Sequence, residues 1–93
     1  MNIEKQNLKR EEILGQTRLL LEPWLDDTDL ASLDEQTSLL GDLGLDSVAI
    51  LQFILGVETE FNITIKDHEL DSEVFSKMAN LIDIIEDKLN ETD

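Results

Sequence analysis

Apolar side chains recur at near-helical spacing in three stretches of this chain. From about Leu8 to Glu22, the residues Ile13, Leu14, Thr17, Leu20 and Leu21 follow a period close to 3.6. Pro23 fits badly inside a helix, so this first helix is expected to end before it, with Trp24 and Leu25 tucked under the bundle as core filler. A second helix is expected from Ser47 to about Phe61, where Asn62 breaks the pattern. The last helix is expected to start near Ser76 as its N-cap. Met78, Leu81, Ile82, Ile85 and Leu89 then share one face, and Asp83, Glu86, Asp87 and Lys88 the other. A short turn or helix is placed around Asp67 to Leu70. Asn62-Ile63-Thr64-Ile65 alternates, but too briefly for a convincing strand.

The stretch from Asp26 to Asp46 reads as one long connection, rich in Asp, Ser, Thr and Gly. Its leucines, at positions 30, 33, 39, 40, 43 and 45, predict that it is pinned to the core. A connection of about twenty residues in a compact domain usually has a functional reason. The expected fold class is all-α: a small four-helix bundle of three main helices and one short one, with a long loop between helices 1 and 2. With 93 residues the chain makes a single domain, residues 1–93, with 1–7 and 90–93 expected to fray.

Charge narrows the possible partners. There are 22 acidic residues against 7 basic ones, a formal net charge of -15. No Lys or Arg occurs from Leu19 to Ile65. Nucleic acid and anionic lipid are disfavoured, because their phosphates would be repelled. The matching partner is a protein with a basic patch. No apolar run approaches the length of a membrane span, and the polar start lacks a secretory pattern. Cysteine is absent, which removes disulfides, thiolate nucleophiles and cysteine zinc sites and suits a reducing cytoplasm. The chain is expected to act there as a monomer.

Most catalytic constellations fail. His68 stands alone, so neither a histidine metal site nor a supported Ser-His-Asp triad can be built. Asp27-x-Asp29 begins like a calcium loop, but Ser32 stands where glycine is needed and Ser38 where the bidentate glutamate is needed. No glycine-rich phosphate loop is present. A small chain without a nucleophile–base pair is not expected to be an enzyme.

One segment stands apart: Gly41-Asp42-Leu43-Gly44-Leu45-Asp46-Ser47-Val48, directly before an apolar helix. Gly44 can take a left-handed turn, and Leu43 and Leu45 can anchor the loop on both sides of it. Asp46 and Ser47 then fall at the helix start, where either could simply cap it. Asp71-Ser72 is an internal comparison: it lacks the Leu-Gly-Leu lead-in and an apolar helix behind it, and reads as loop or cap only.

The run from Asp42 to Val48 resembles the attachment motif of acyl carrier proteins. Phe61, Ile63, Ile65 and Asp67 resemble that family's segment after its second helix. Phe75, Ser76 and Met78, leading into Ile82-Asp83-Ile84-Ile85, resemble its last helix. The resemblance spans about Leu8 to Leu89. It implies that Ser47 carries a 4′-phosphopantetheine arm, installed from coenzyme A by a phosphopantetheinyl transferase, which supplies the activation Ser47 lacks. It also implies a non-catalytic carrier that presents acyl thioesters to loading and transferring enzymes of fatty-acid, polyketide or related pathways through their basic patches. Asp42, Asp46, Val48, Glu58 and Glu60 are the candidate partner contacts. An aminoacyl or peptidyl carrier, a D-alanyl carrier included, shares the motif. An unmodified acidic interaction module, with Ser47 only a cap, is the reading outside the family.

The chain also departs from the family. Val48 replaces the frequent leucine after the serine. Ala49 and Gln52 stand where general fatty-acid carriers usually have acids, leaving Val48 to Leu55 apolar almost all round. Such a face is either covered by the loop leucines or offered to specialised partners. About two extra residues lie between Leu70 and Phe75.

Overall fold

The computed structural model describes residues 9–91; the first expected frayed segment, 1–7, and residues 92–93 lie outside it. Five α-helices follow one another: α1 (Arg10–Leu21), α2 (Asp27–Ser32), α3 (Ser47–Phe61), α4 (Ser72–Ser76) and α5 (Met78–Glu91). Two 3-10 turns, Glu22–Trp24 and Asp67–Glu69, complete the order, and no strand occurs among the described residues. The fold is all-α as expected, with α1, α3 and α5 as the long helices.

Local chemistry sets the boundaries. Pro23 ends α1 and is accommodated at the start of a 3-10 turn, where its missing N–H costs nothing. The Asp46 side chain accepts the Ala49 N–H at 2.8 Å and starts α3. Asn62, at φ 56°, ends it in the left-handed conformation that asparagine tolerates. Ile63 and Ile65 then point inward while their neighbours stay exposed, so the short alternation is a real burial pattern on extended chain without a partner strand.

The core is shared by the three long helices and the loop. All five residues of the predicted α5 face, from Met78 to Leu89, are buried, as are Phe53, Val57 and Phe61 of α3 and Ile13 and Leu21 of α1. Thr17, also fully buried, satisfies its hydroxyl by donating to the Leu14 carbonyl at 2.8 Å. Trp24 is half-buried at the edge of the core rather than inside it, because the 3-10 turn keeps it near the surface.

Two expectations are corrected. First, the long connection contains α2. Asp26 accepts the Asp29 N–H at 2.9 Å and turns an acidic loop segment into a one-and-a-half-turn helix. Asp27 and Asp29 are therefore helical, and no cluster of three or more metal-ligating side chains exists among the described residues. Second, Ser76 does not cap the last helix. It ends α4, donating to the Glu73 carbonyl at 2.7 Å, and the chain extends at Lys77 before α5 begins. Asp71 starts α4 by accepting the N–H groups of Glu73 and Val74, so a short helix does lie behind Asp71-Ser72. At the other end, α5 continues through Asn90 and Glu91.

What caps α5 is the loop. The Met78 and Ala79 N–H groups donate to the carbonyls of Thr37 and Glu35, both at 2.8 Å, and Leu39 donates back to the Phe75 carbonyl at 3.0 Å. These bonds satisfy the otherwise orphan amides of the helix start. Leu33, Leu39 and Leu45 are buried and Leu30 and Leu43 pack partly against the core, which pins the loop as the leucine pattern predicts; Leu40, counted among those anchors, is instead exposed. Arg18 closes the far side, donating to the carbonyls of Leu30 and Leu33 at 3.0 Å each.

Arg10 is the electrostatic hub. Its guanidinium meets Glu35 at 2.7 Å, Asp83 at 2.6 Å and Glu86 at 2.8 Å, joining α1, the loop and α5. Hydrogen bonds to these carboxylates, Glu35 first, hold its pKa above the usual arginine value. Lys88 pairs with Glu69 at 2.8 Å and, with the Lys66 N–H, holds that carboxyl below the usual carboxylate range. A depressed folded pKa means that this contribution is present above the unfolded value and is lost as pH falls through the folded one.

Elsewhere the acids outnumber their partners, and self-repulsion opposes compaction. Raising sodium chloride, or adding magnesium, is therefore expected to raise the melting temperature measured by circular dichroism. A melting temperature indifferent to both would show that the acids are too dispersed to repel.

Candidate functional site

The site is built where the pinned loop meets α3. Leu45 is buried, and its N–H donates to the Leu39 carbonyl at 3.1 Å; Leu43 is partly buried. Between them Gly44 takes φ 65°, the left-handed turn read from the sequence. A Cβ there would meet no atom within 4 Å, so the requirement is conformational rather than steric. Gly44→Ala is expected to cost about 1 kcal/mol of stability, read as a lower urea midpoint.

Ser47 is the first residue of α3 and is exposed. Its hydroxyl has no hydrogen-bond partner among the described residues, because Asp46 does the capping. The N–H groups of Ser47 and Val48 likewise lack an acceptor, as the first amides of a 15-residue helix do. Free amides and the positive end of the helix dipole favour an anion on this hydroxyl. The residues present thus fit a phosphodiester on Ser47 Oγ, without any basic side chain.

An apolar groove of about 480 Å³ opens beside Ser47, between α3 and the α4 region. Ile50, Leu51 and Ile54 of α3 form one wall, and Leu70 and Phe75 the other. A second hollow of about 330 Å³ lies on the loop side, lined by Trp24, Leu43, Gly44 and Val48. Asp46 borders both. The walls of both hollows come from segments distant in the chain.

The candidate partner contacts divide. Asp42, Asp46 and Val48 are exposed around Ser47. One oxygen of Asp42 holds the Ser38 N–H at 2.8 Å, which fixes where that charge is displayed. Glu58 and Glu60 are half-buried at the other end of α3, about 18 and about 21 Å along the axis from Asp46. Glu58 accepts the Ile65 N–H at 2.8 Å and so braces the segment after α3.

The apolar look of α3 also resolves. Ala49 is only 7% exposed and belongs to the core, so an acid could not replace it as a surface contact. Gln52 is exposed. Val48, Leu51 and Leu55 are 63%, 59% and 55% exposed, and the loop leucines do not cover them.

Residues 18–90 match the family described as "Phosphopantetheine attachment site". An acyl carrier protein of Thermotoga maritima is 30% identical over 80 residues, covering 86% of this chain and 95% of the relative. One from Exiguobacterium is 31% identical over 61 residues, covering 66% and 75%. A third, from Cyanidium caldarium, is 39% identical over 49 residues, covering 53% and 55%.

Proposed function

The chain belongs to the acyl carrier protein family, non-catalytic carriers with a covalent 4′-phosphopantetheine group, and from that premise we propose that Ser47 is the attachment point and fatty acyl groups the cargo. The observation that carries the cargo assignment is the groove beside Ser47. Its walls of Ile50, Leu51, Ile54, Leu70 and Phe75 suit an alkyl chain. An ammonium-bearing aminoacyl group would find carboxylates only at exposed Asp46 and Asp71, and would gain nothing from the hydrocarbon walls that an alkyl chain fills.

Attachment needs little from the carrier. Ser47 Oγ forms the new ester bond to phosphorus, the pyrophosphate bond of coenzyme A breaks, and the adenosine bisphosphate leaves. The hydroxyl proton goes to a base in the transferase, since Ser47 Oγ bonds to no base in the chain and the neighbouring Asp46 carboxylate accepts the Ala49 N–H instead. Incubation with coenzyme A and a phosphopantetheinyl transferase is expected to add one phosphopantetheinyl mass to the chain. An unchanged mass with several competent transferases would favour an unmodified acidic module.

The cargo assignment has its own test. Acyl occupancy of the groove stabilises the folded state, so the melting temperature should climb with acyl length until the groove is full. A D-alanyl group should give no such rise. An equal rise with both would remove the argument for acyl cargo and leave the aminoacyl carrier standing.

Partner enzymes in this reading present a basic rim to Asp42 and Asp46 and an apolar contact to Val48, Leu51 and Leu55. The acids speed encounter, and the leucines add contact that an acidic helix would not offer. Gln52→Glu should improve recognition by a ketosynthase of primary fatty-acid synthesis; no gain would count against a specialised docking face.

A further inference from the structure

The two hollows beside Ser47 differ in chemistry, and an arm on that hydroxyl can lie in either. The groove between α3 and the α4 region is walled almost wholly by carbon. A pantetheine segment carries two amides, a hydroxyl and a geminal dimethyl group, and beyond Asp46, Ser47, Asp71 and Ser72 the groove offers its amides only hydrocarbon, which is costly. The loop-side hollow is mixed. Trp24, Leu43 and Val48 give it apolar walls, while Gly44 brings bare backbone. The Gly44 N–H and carbonyl, and the Trp24 indole N–H, have no hydrogen-bond partner among the described residues. Its volume of about 330 Å³ falls at the small end of hollows that hold organic ligands.

Connectivity makes the case specific to a tethered group. Asp46 and Val48, the two chain neighbours of Ser47, both line this hollow. Ser47 itself lines the apolar groove, so a group on its Oγ starts at the boundary between the two hollows, and their chemistry decides which part of the arm lies in which. We propose that Trp24, Leu43, Gly44 and Val48 form a resting seat for the pantetheine segment of the arm, leaving the apolar groove to the acyl chain. The indole and Val48 pack against the geminal methyls, and Gly44 and the indole N–H meet the amides. This rests on Ser47 being the attachment point. It also gives Trp24 a role besides packing and explains why a large aromatic ring stands half-exposed beside the attachment loop.

Trp24 is the sole tryptophan of the chain, so the seat reports on itself. The test uses holo protein whose intact mass and fragmentation establish the arm on Ser47. Nuclear Overhauser contacts are then expected between the geminal methyls and the Trp24 indole, with tryptophan emission changed relative to apo protein. In Trp24→Ala holo protein the methyl resonances should move to the positions they hold in free phosphopantetheine. Holo protein with free-like methyl resonances and no indole contact, or with contacts to Ile54 and Phe75 instead, would overturn the seat while leaving attachment intact. A chain that takes no arm at Ser47 would overturn attachment itself, and the seat with it. The contacts are read on unaltered holo protein, so the result stands even if Trp24→Ala folds poorly.

Discussion

Ser47→Ala protein is expected to keep its unmodified mass under conditions in which the unaltered chain is fully converted to the holo form, while Ser72→Ala is converted like the parent. The contrast is sharp because both serines are exposed and both follow an aspartate that caps a helix. They differ in what stands around them. Ser47 heads a helix of 15 residues and is preceded by a turn fixed through Gly44, Leu43 and Leu45. Ser72 heads a helix of 5 residues, too short to build a comparable dipole, and has no such lead-in. The Ser47→Ala change itself should be nearly neutral for stability, since the hydroxyl holds nothing within the chain. Loss of modification at an unchanged melting temperature would thus report chemistry and not unfolding. Residual mass gain in Ser47→Ala would move the attachment point elsewhere.

Arg10→Met is expected to produce the largest loss of stability, about 2 kcal/mol at low salt, measured by urea unfolding. The side chain keeps 32% of its surface exposed, so each ion pair alone is modest. The consequence lies in what remains: Glu35, Asp83 and Glu86 would face one another without a cation, in a chain already carrying a net charge of -15. Salt screens that repulsion, so the penalty should shrink as sodium chloride rises. Glu35→Gln in the Arg10→Met background should recover part of the loss. A penalty independent of salt would point to the lost packing of the arginine stem instead.

Helix α3 was legible in the sequence because every signal for it is local. Asp46 caps it, its apolar run has helical length, and Asn62 ends it in a conformation few other residues accept. The face of α5 was legible for the same reason. The start of α5 was not, because its cap is tertiary: Thr37 and Glu35 supply the carbonyls from some forty residues upstream, and Ser76 looked like a better cap than it is. Helix α2 offered only Leu30 as an apolar marker, and its real signal, Asp26 three residues before Asp29, was hidden in an acidic run. For the site, sequence placed Ser47, Asp46 and Gly44, but not the two hollows. It also could not separate Ala49, which packs inward, from Val48 and Leu51, which do not. On an all-apolar stretch, periodicity has no contrast to work with.

The backbone bonds between residues 35–39 and residues 75–79 bear on how the protein is made. A ribosome releases the loop before α3 well before the segment that holds it in place. Until residue 75 has left the exit tunnel Leu39 has no carbonyl to donate to, and until residues 78 and 79 have followed the carbonyls of Glu35 and Thr37 have no amides to receive. The loop that leads into Ser47 therefore reaches its finished setting only once the chain through Ala79 is free to fold.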